Sequence, residues 1–101
     1  MTVEIAWAAG FFDGEGSTSL DKSKPRVAIG QKDRQVLDRF KTAVGYGKVY
    51  GPYVYVNPPR TFFYYVVRRQ QAEDVIACLW PFLSQIKREQ ATAVFGTMSG
   101  K

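Results

Sequence analysis

Ala8-Ala9-Gly10-Phe11-Phe12-Asp13-Gly14-Glu15-Gly16 is the stretch whose reading decides the fold. Upstream and through it run Val3, Ile5, Ala6, Trp7, Ala8, Ala9, Phe11 and Phe12, apolar on nearly every face of a predicted helix over Val3–Phe12. A helix that apolar must be covered on more than one side. Ala6, Gly10 and Gly14 recur every four residues, so a stripe of small side chains runs along it and lets another backbone approach closely. The helix is expected to end at Asp13-Gly14-Glu15-Gly16, where two glycines can take positive φ. Asp13 and Glu15 then lie at its C-terminal end, where the macrodipole disfavours each negative charge by ~0.3–1 kcal/mol. A bound cation would reverse that penalty. Two such ends brought together by a symmetric dimer would set carboxylates side by side, an arrangement suited to metal-assisted phosphoryl chemistry. Without a cation, the same tetrapeptide is a polar turn leading into a strand.

Composition narrows the chemistry available to that acid cluster. The 101 residues include 14 Lys plus Arg, 9 Asp plus Glu, no His and one Cys, Cys78. The length fits one domain spanning 1–101, and 46% hydrophobic with 15% aromatic residues is enough for a core. Without His there is no Ser-His-Asp triad, no His-ligated zinc and no imidazole base. A lone Cys removes Cys₄ zinc sites, paired redox thiols and a disulfide framework, and a reducing, intracellular compartment is the simpler reading. Any metal must be a hard cation held by oxygen. No stretch of ~20 apolar residues spans a membrane, and the N-terminus lacks the pattern of a signal peptide. A formal charge of +5 and a pI near 9.5 point to an anionic partner, nucleic acid first.

Beyond the first helix, Ser17–Ser23 and Arg26–Lys32 read as two strands around a turn at Ser23-Lys24-Pro25. Asp33 is a plausible N-cap for a helix whose Val36, Leu37, Phe40 and Val44 share one stripe, with Gly45 as its C-terminal stop. Gly47–Tyr55 and Thr61–Arg68 form a second predicted hairpin, closed by a loop containing Asn57-Pro58-Pro59-Arg60. Phe62 to Val67 shows no alternation, so both faces of that strand should be in contact with something. Helix returns over Gln71–Leu79, breaks at Pro81 and resumes over Ser84–Phe95. The order α-β-β-α-β-β-α, with a further terminal helix, predicts an α+β fold with one four-stranded antiparallel sheet and helices on one face. The other sheet face is left open, and on a basic domain it is a candidate for lying against nucleic acid.

With these elements placed, the chain resembles the LAGLIDADG homing endonuclease family. Ala8–Gly16 is similar to the family's motif, with Ala9-Gly10, Asp13, Glu15 and Gly16 in register. Gly30-Gln31-Lys32-Asp33, Gly45-Tyr46-Gly47-Lys48-Val49, Trp80-Pro81-Phe82-Leu83 and Ile86-Lys87-Arg88-Glu89-Gln90-Ala91 resemble further elements in the right order, from about Ile5 to Phe95. Two departures stand out. Ala8 replaces the motif's leading Leu and Phe11-Phe12 its aliphatic pair, and some relatives continue with further C-terminal helices.

The resemblance implies a site-specific double-stranded DNA endonuclease, hydrolysing phosphodiester bonds with Mg²⁺, whose site also accepts Mn²⁺ or Ca²⁺. One motif per chain implies a homodimer on a near-palindromic target, with Ala6, Ala9, Gly10 and Asp13 at the dimer interface. Glu15 and the Gly14 carbonyl match the metal ligands. Gln31 matches the residue that orders water at the nucleophile, and Lys87 the cation near the scissile phosphate. On the DNA-binding concave sheet face, Ser17, Ser19, Asp21, Arg26, Ala28, Lys48, Tyr50 and Tyr65 are expected to point into the major groove, while Lys22, Lys24, Lys32, Arg34 and Arg60 suit phosphates. Such an enzyme would work in the cytoplasm of a prokaryote, or an organelle or the nucleus of a eukaryote, encoded in an intron or intein. It would need no membrane and no small-molecule cofactor. The alternative is a non-cleaving protein of the same fold, an RNA maturase or a transcription regulator. A third reading makes the chain one half of a larger or engineered protein.

Overall fold

Residues 2–96 are described by the structure, a computed structural model. Helix α1 (Thr2–Glu15) leads directly into β1 (Gly16–Asp21) and β2 (Lys24–Gln31). Helix α2 (Arg34–Val44) connects to β3 (Lys48–Val56) and β4 (Pro59–Arg68). Helix α3 (Arg69–Leu79), a 3₁₀ turn at Trp80–Phe82 and helix α4 (Gln85–Phe95) complete the fold. The strands form one antiparallel sheet in the order β1-β2-β4-β3, the α+β architecture expected from the sequence.

The core lies between one sheet face and the helices. Ala8, Ala9 and Phe12 of α1 meet Leu37 and Phe40 of α2, Val75, Ile76 and Leu79 of α3, and Val27, Ile29, Tyr65 and Val67 of the sheet. Phe40 sits at its centre, edge-on to Tyr65 at 4.9 Å between ring centroids and 6.3 Å from Phe12. Each fully buried side chain of this size contributes ~1.5–3 kcal/mol by leaving water. Asp33 caps α2 by accepting from the Gln35 amide at 2.8 Å, and Gly45 ends it at φ 84°, as the spacing predicts. Glu4 of α1 and Arg39 of α2 are paired at 2.7 Å, with the guanidinium 3.8 Å from the centroid of the Trp7 ring. That partner holds the Glu4 carboxyl below its usual range.

Local expectations are corrected in three places. Helix α1 does not stop at a left-handed glycine: it continues through Glu15, and neither Gly14 nor Gly16 has positive φ. Gly16 is required for another reason, since a Cβ there would overlap the Phe12 ring. The first hairpin turns at Lys22-Ser23, one residue earlier than predicted, with both residues in the left-handed region (φ 52° and 69°) as a two-residue hairpin demands. In the second hairpin the ladder slips between Tyr50 and Tyr53, where Gly51 takes φ 124° and a Cβ would press on the Phe62 carbonyl. No helix among the described residues is long and apolar enough to cross a membrane.

Candidate metal and nucleic-acid site

The last turn of α1 is where the chemistry gathers. Because the helix runs straight into β1, Glu15 is exposed at the junction of helix and sheet, beside the end of β2. Gln31, the last residue of β2, donates from Nε2 to Glu15 Oε1 at 2.8 Å. Lys87, on the first turn of α4, donates from Nζ to the Gly16 carbonyl at 2.7 Å and lies 5.9 Å from the Phe12 ring centroid. Gln31 and Lys87, 16 and 72 positions from Glu15 in sequence, therefore converge on one helix end, Gln31 on the Glu15 carboxylate and Lys87 on the carbonyl of the next residue, Gly16. An ammonium has three donors, so two of those on Lys87 remain for an anion.

Asp13 has a different task. Its carboxylate accepts from the Ser84 amide through both oxygens, at 3.1 and 3.2 Å. Ser84 is in turn the N-cap of α4, accepting from the Lys87 amide at 3.3 Å. Asp13 thus anchors the helix that carries Lys87. Asp13 is half-buried, and the partner its carboxylate has lies within its own chain. Glu15 is left as the acid free to meet a cation, and its donor set is of the right hardness: a carboxylate together with the main-chain carbonyls of a helix C-terminus, which have no partner within the helix. Among the described residues no cluster of three or more His, Cys, Asp or Glu side chains could hold a metal on its own. One chain fits a divalent cation only as part of a ligand set, which suits Mg²⁺ bound by one or two carboxylates with water and substrate phosphates.

The small-residue stripe of α1 stays together on the outer face of the helix. Ala6, Gly10 and Gly14 are exposed, beside Val3 at 77% exposure, and a Cβ on Gly10 or Gly14 would meet nothing within 4 Å. Ala9 is fully buried in the chain's own core and is withdrawn from the expected interface. The helix is apolar all round, so composition alone could not place Ala9 on one side or the other.

Strand pairing sorts the sheet residues into two faces. The helix-covered face holds Val27, Ile29, Tyr65 and Val67. Tyr65 is therefore corrected from groove reader to core residue: it is fully buried, and its hydroxyl donates to the Tyr46 carbonyl at 2.8 Å. Burial pushes that phenol well above the usual tyrosine range. The open face carries Ser17, Ser19 and Asp21 on β1, and Lys24, Arg26 and Ala28 on β2, register partners of one another. Ala28 is only 8% exposed, packed between its cross-strand neighbours Ser17 and Val66, so it offers little surface to a ligand. Lys48 and Tyr50 of β3 lie on the same face, opposite Val66 and Tyr64.

The same pairing adds Tyr53, Tyr55, Phe62, Tyr64 and Arg68 to the open face, none of them singled out by the sequence reading. A cue was present: Tyr64 and Arg68 flank Tyr65 with the wrong parity to share its face. Arg68 pairs with Asp21 at 3.7 Å across the intervening strand β2. Among the residues expected at phosphates, Lys22, Lys24 and Lys32 are exposed near the ends of β2 and Arg60 lies over the rings of Tyr55 and Phe62. Arg34 instead pairs with Asp38 one helical turn on, at 3.5 Å, and its guanidinium lies 6.0 Å from the centroid of Phe63 on the helix side of the sheet.

No family profile and no curated protein matches the sequence. Solved structures do. The homing endonuclease I-CvuI in complex with DNA aligns at a TM-score of 0.71 and 16% identity, over 92% of this chain and 64% of that one. An archaeal intron-encoded homing endonuclease, I-Vdi141I, complexed with DNA, aligns at 0.65 and 22% identity, over 90% of this chain and 64% of that one. The LAGLIDADG meganuclease I-CpaMI bound to uncleaved DNA aligns at 0.62 and 22% identity, over 83% of this chain and 32% of that one. The I-CvuI complexes were solved in the presence of Mg or Ca. The fold of this chain is that of the LAGLIDADG homing endonucleases, and the chain spans about two thirds or less of the length of these structures.

Proposed function

From a chain with the LAGLIDADG endonuclease fold, we propose a site-specific, divalent-metal-dependent DNA endonuclease that works as a homodimer. The observation that carries the reading is the convergence of Glu15, Gln31 and Lys87 on one helix end, behind an open and basic sheet face. Glu15 and the Gly14 carbonyl would hold Mg²⁺, with Mn²⁺ or Ca²⁺ as substitutes. When bound, such an ion supplies Lewis acidity toward a phosphate oxygen and lowers the pKa of a coordinated water.

The chain's own residues do the rest. Gln31 fixes the Glu15 carboxylate through its amide and keeps its carbonyl oxygen free to orient water. Lys87 is tethered to the Gly16 carbonyl and held by a capped helix, so its charge is in place before a phosphate arrives. Preorganisation of that kind is what makes a cation effective toward developing negative charge. Asp13 is a positioning residue, acting on Lys87 through Ser84. The exposed stripe Ala6-Gly10-Gly14 supports close packing against the same helix of a second copy, which brings a second Glu15 to the first.

The test is cleavage of a randomised duplex library with Mg²⁺ by the protein and by Glu15→Gln. The expected result is cutting by the parent, a loss of at least about a hundredfold in the variant, and unchanged duplex binding by both in Ca²⁺. Duplex binding without any cutting by the parent in Mg²⁺ or Mn²⁺ overturns the enzyme reading in favour of a non-cleaving nucleic-acid-binding protein.

A further inference from the structure

The open sheet face has two chemically different ends. Toward the β1–β2 turn it carries Ser19, Asp21, Lys24, Arg26 and Arg68. Toward the β3–β4 turn it carries Tyr50, Tyr53, Tyr55, Phe62 and Tyr64, on two adjacent strands. Tyr53, Tyr55, Phe62 and Tyr64 form a connected cluster, with centroids 5.6 Å apart for Tyr53 and Tyr64, 6.0 Å for Tyr55 and Phe62, and 6.3 Å for Phe62 and Tyr64, and Tyr50 lies beside it in register with Tyr64. Arg60 lies over the Tyr55 and Phe62 rings at 5.0 and 5.6 Å. The Tyr55 and Tyr64 hydroxyls are 3.2 Å apart and bond to each other, so part of the patch's polarity is consumed internally. That bond, together with burial, raises the Tyr64 phenol, which stays neutral at physiological pH.

Such a patch has few possible uses against nucleic acid. Stacking of unpaired bases needs free ring faces, and here Tyr53, Tyr55, Phe62 and Tyr64 pack against one another with Arg60 over Tyr55 and Phe62. The major groove of a duplex offers one apolar group, the C5-methyl of thymine. Resting on the duplex-DNA reading above, we infer that the Tyr50, Tyr53, Tyr55, Phe62 and Tyr64 end of the sheet recognises thymine methyl groups, while the Arg26, Arg68 and Asp21 end reads base edges by hydrogen bonding. Charge complementarity commits the face to DNA: Lys24, Arg26, Lys48, Arg60 and Arg68 share it with one acid, Asp21, which is paired with Arg68. Along β4 the rows at Arg68 and Phe62 are six residues apart. At ~3.3 Å per residue that is about 20 Å, the length of several base pairs. The two readouts therefore fall on separate stretches of the target.

The experiment is selection of bound duplexes from a randomised pool in Ca²⁺, followed by replacement of each selected thymine with deoxyuridine, which removes only the methyl. The expected result is a thymine-rich tract within the site, where each methyl removed weakens binding about fourfold. Tyr53→Ser and, separately, Tyr50→Ser, both at exposed rings, should blunt that sensitivity inside the tract and leave the rest of the site as it was. A selected duplex without thymine enrichment, indifference to deoxyuridine, or unaltered methyl sensitivity in both variants overturns the inference alone. Recovery of no duplex at all, or stronger binding of a single-stranded pool, overturns the duplex-DNA reading beneath it as well.

Discussion

Tyr65 and Tyr64 are adjacent in sequence and opposite in role. Tyr65 fills the core and satisfies its hydroxyl on the Tyr46 carbonyl, whereas Tyr64 lies on the open face. Replacing Tyr65 with Phe should cost about 1 kcal/mol by leaving the carbonyl without that partner, read as a lower midpoint in denaturant unfolding. The pH dependence has a definite sign. Burial raises the phenol of Tyr65 in the folded chain. Above about pH 10 the unfolded chain loses that proton while the folded chain keeps it, so stability falls as pH rises. Unfolding curves between pH 9 and 11.5 should therefore fall more steeply for the parent than for Tyr65→Phe. Equal slopes would contradict the assignment. Glu15 belongs to this scale too: Glu15→Gln should lose cleavage without a shift in melting temperature, because the carboxylate is exposed and its one described partner is the Gln31 amide, which glutamine can also engage.

At the scale of elements, α1 does two things that its composition does not separate. Ala8, Ala9 and Phe12 face the core while Ala6, Gly10 and Gly14 face outward. A helix apolar all round has no phase to read, so Ala9 was legible as small and buried but not as buried within its own chain. The Phe62–Val67 strand fails for the same reason: without polar residues to mark alternation, only pairing with Val27 and Ile29 fixes which tyrosine points inward. Capped elements were legible. Asp33 and Gly45 bound α2 as their chemistry requires, and the Glu15, Gln31, Lys87 set came from resemblance to known motifs rather than from periodicity. The two kinds of glycine in α1 and at its junction separate experimentally. Gly16→Ala should destabilise the fold, since its Cβ collides with Phe12. Gly10→Ala should leave the fold unharmed or raise its stability by up to about 1 kcal/mol, an alanine being the better helix former. On the dimer reading, Gly10→Ala should also weaken self-association, measured by sedimentation beside the melting curve. A stabilised variant that self-associates like the parent would remove Gly10 from the interface.

For the molecule as a whole, net charge and face chemistry act together. On the DNA-binding reading, a +5 chain that meets DNA through lysines and arginines releases counterions when it binds, so its affinity should fall linearly in logarithm with salt concentration. A site made of two copies should show a steeper slope than one copy alone, and Arg60→Ala should shallow it by about one contact per copy. Titration of a labelled duplex at four salt concentrations measures both, and a flat response would exclude phosphate-led binding.

The bonds from Lys87 to the Gly16 carbonyl and from the Ser84 amide to Asp13 each join residues 71 positions apart. During synthesis α1 and its acids leave the ribosome long before α4 exists. A growing chain thus exposes Glu15 without the cation that completes its surroundings, and no product that stops before α4 carries the whole constellation. On the endonuclease reading, the constellation assembles only when α4 folds back onto α1, so a chain interrupted before α4 holds Glu15 without Lys87 and should not cut.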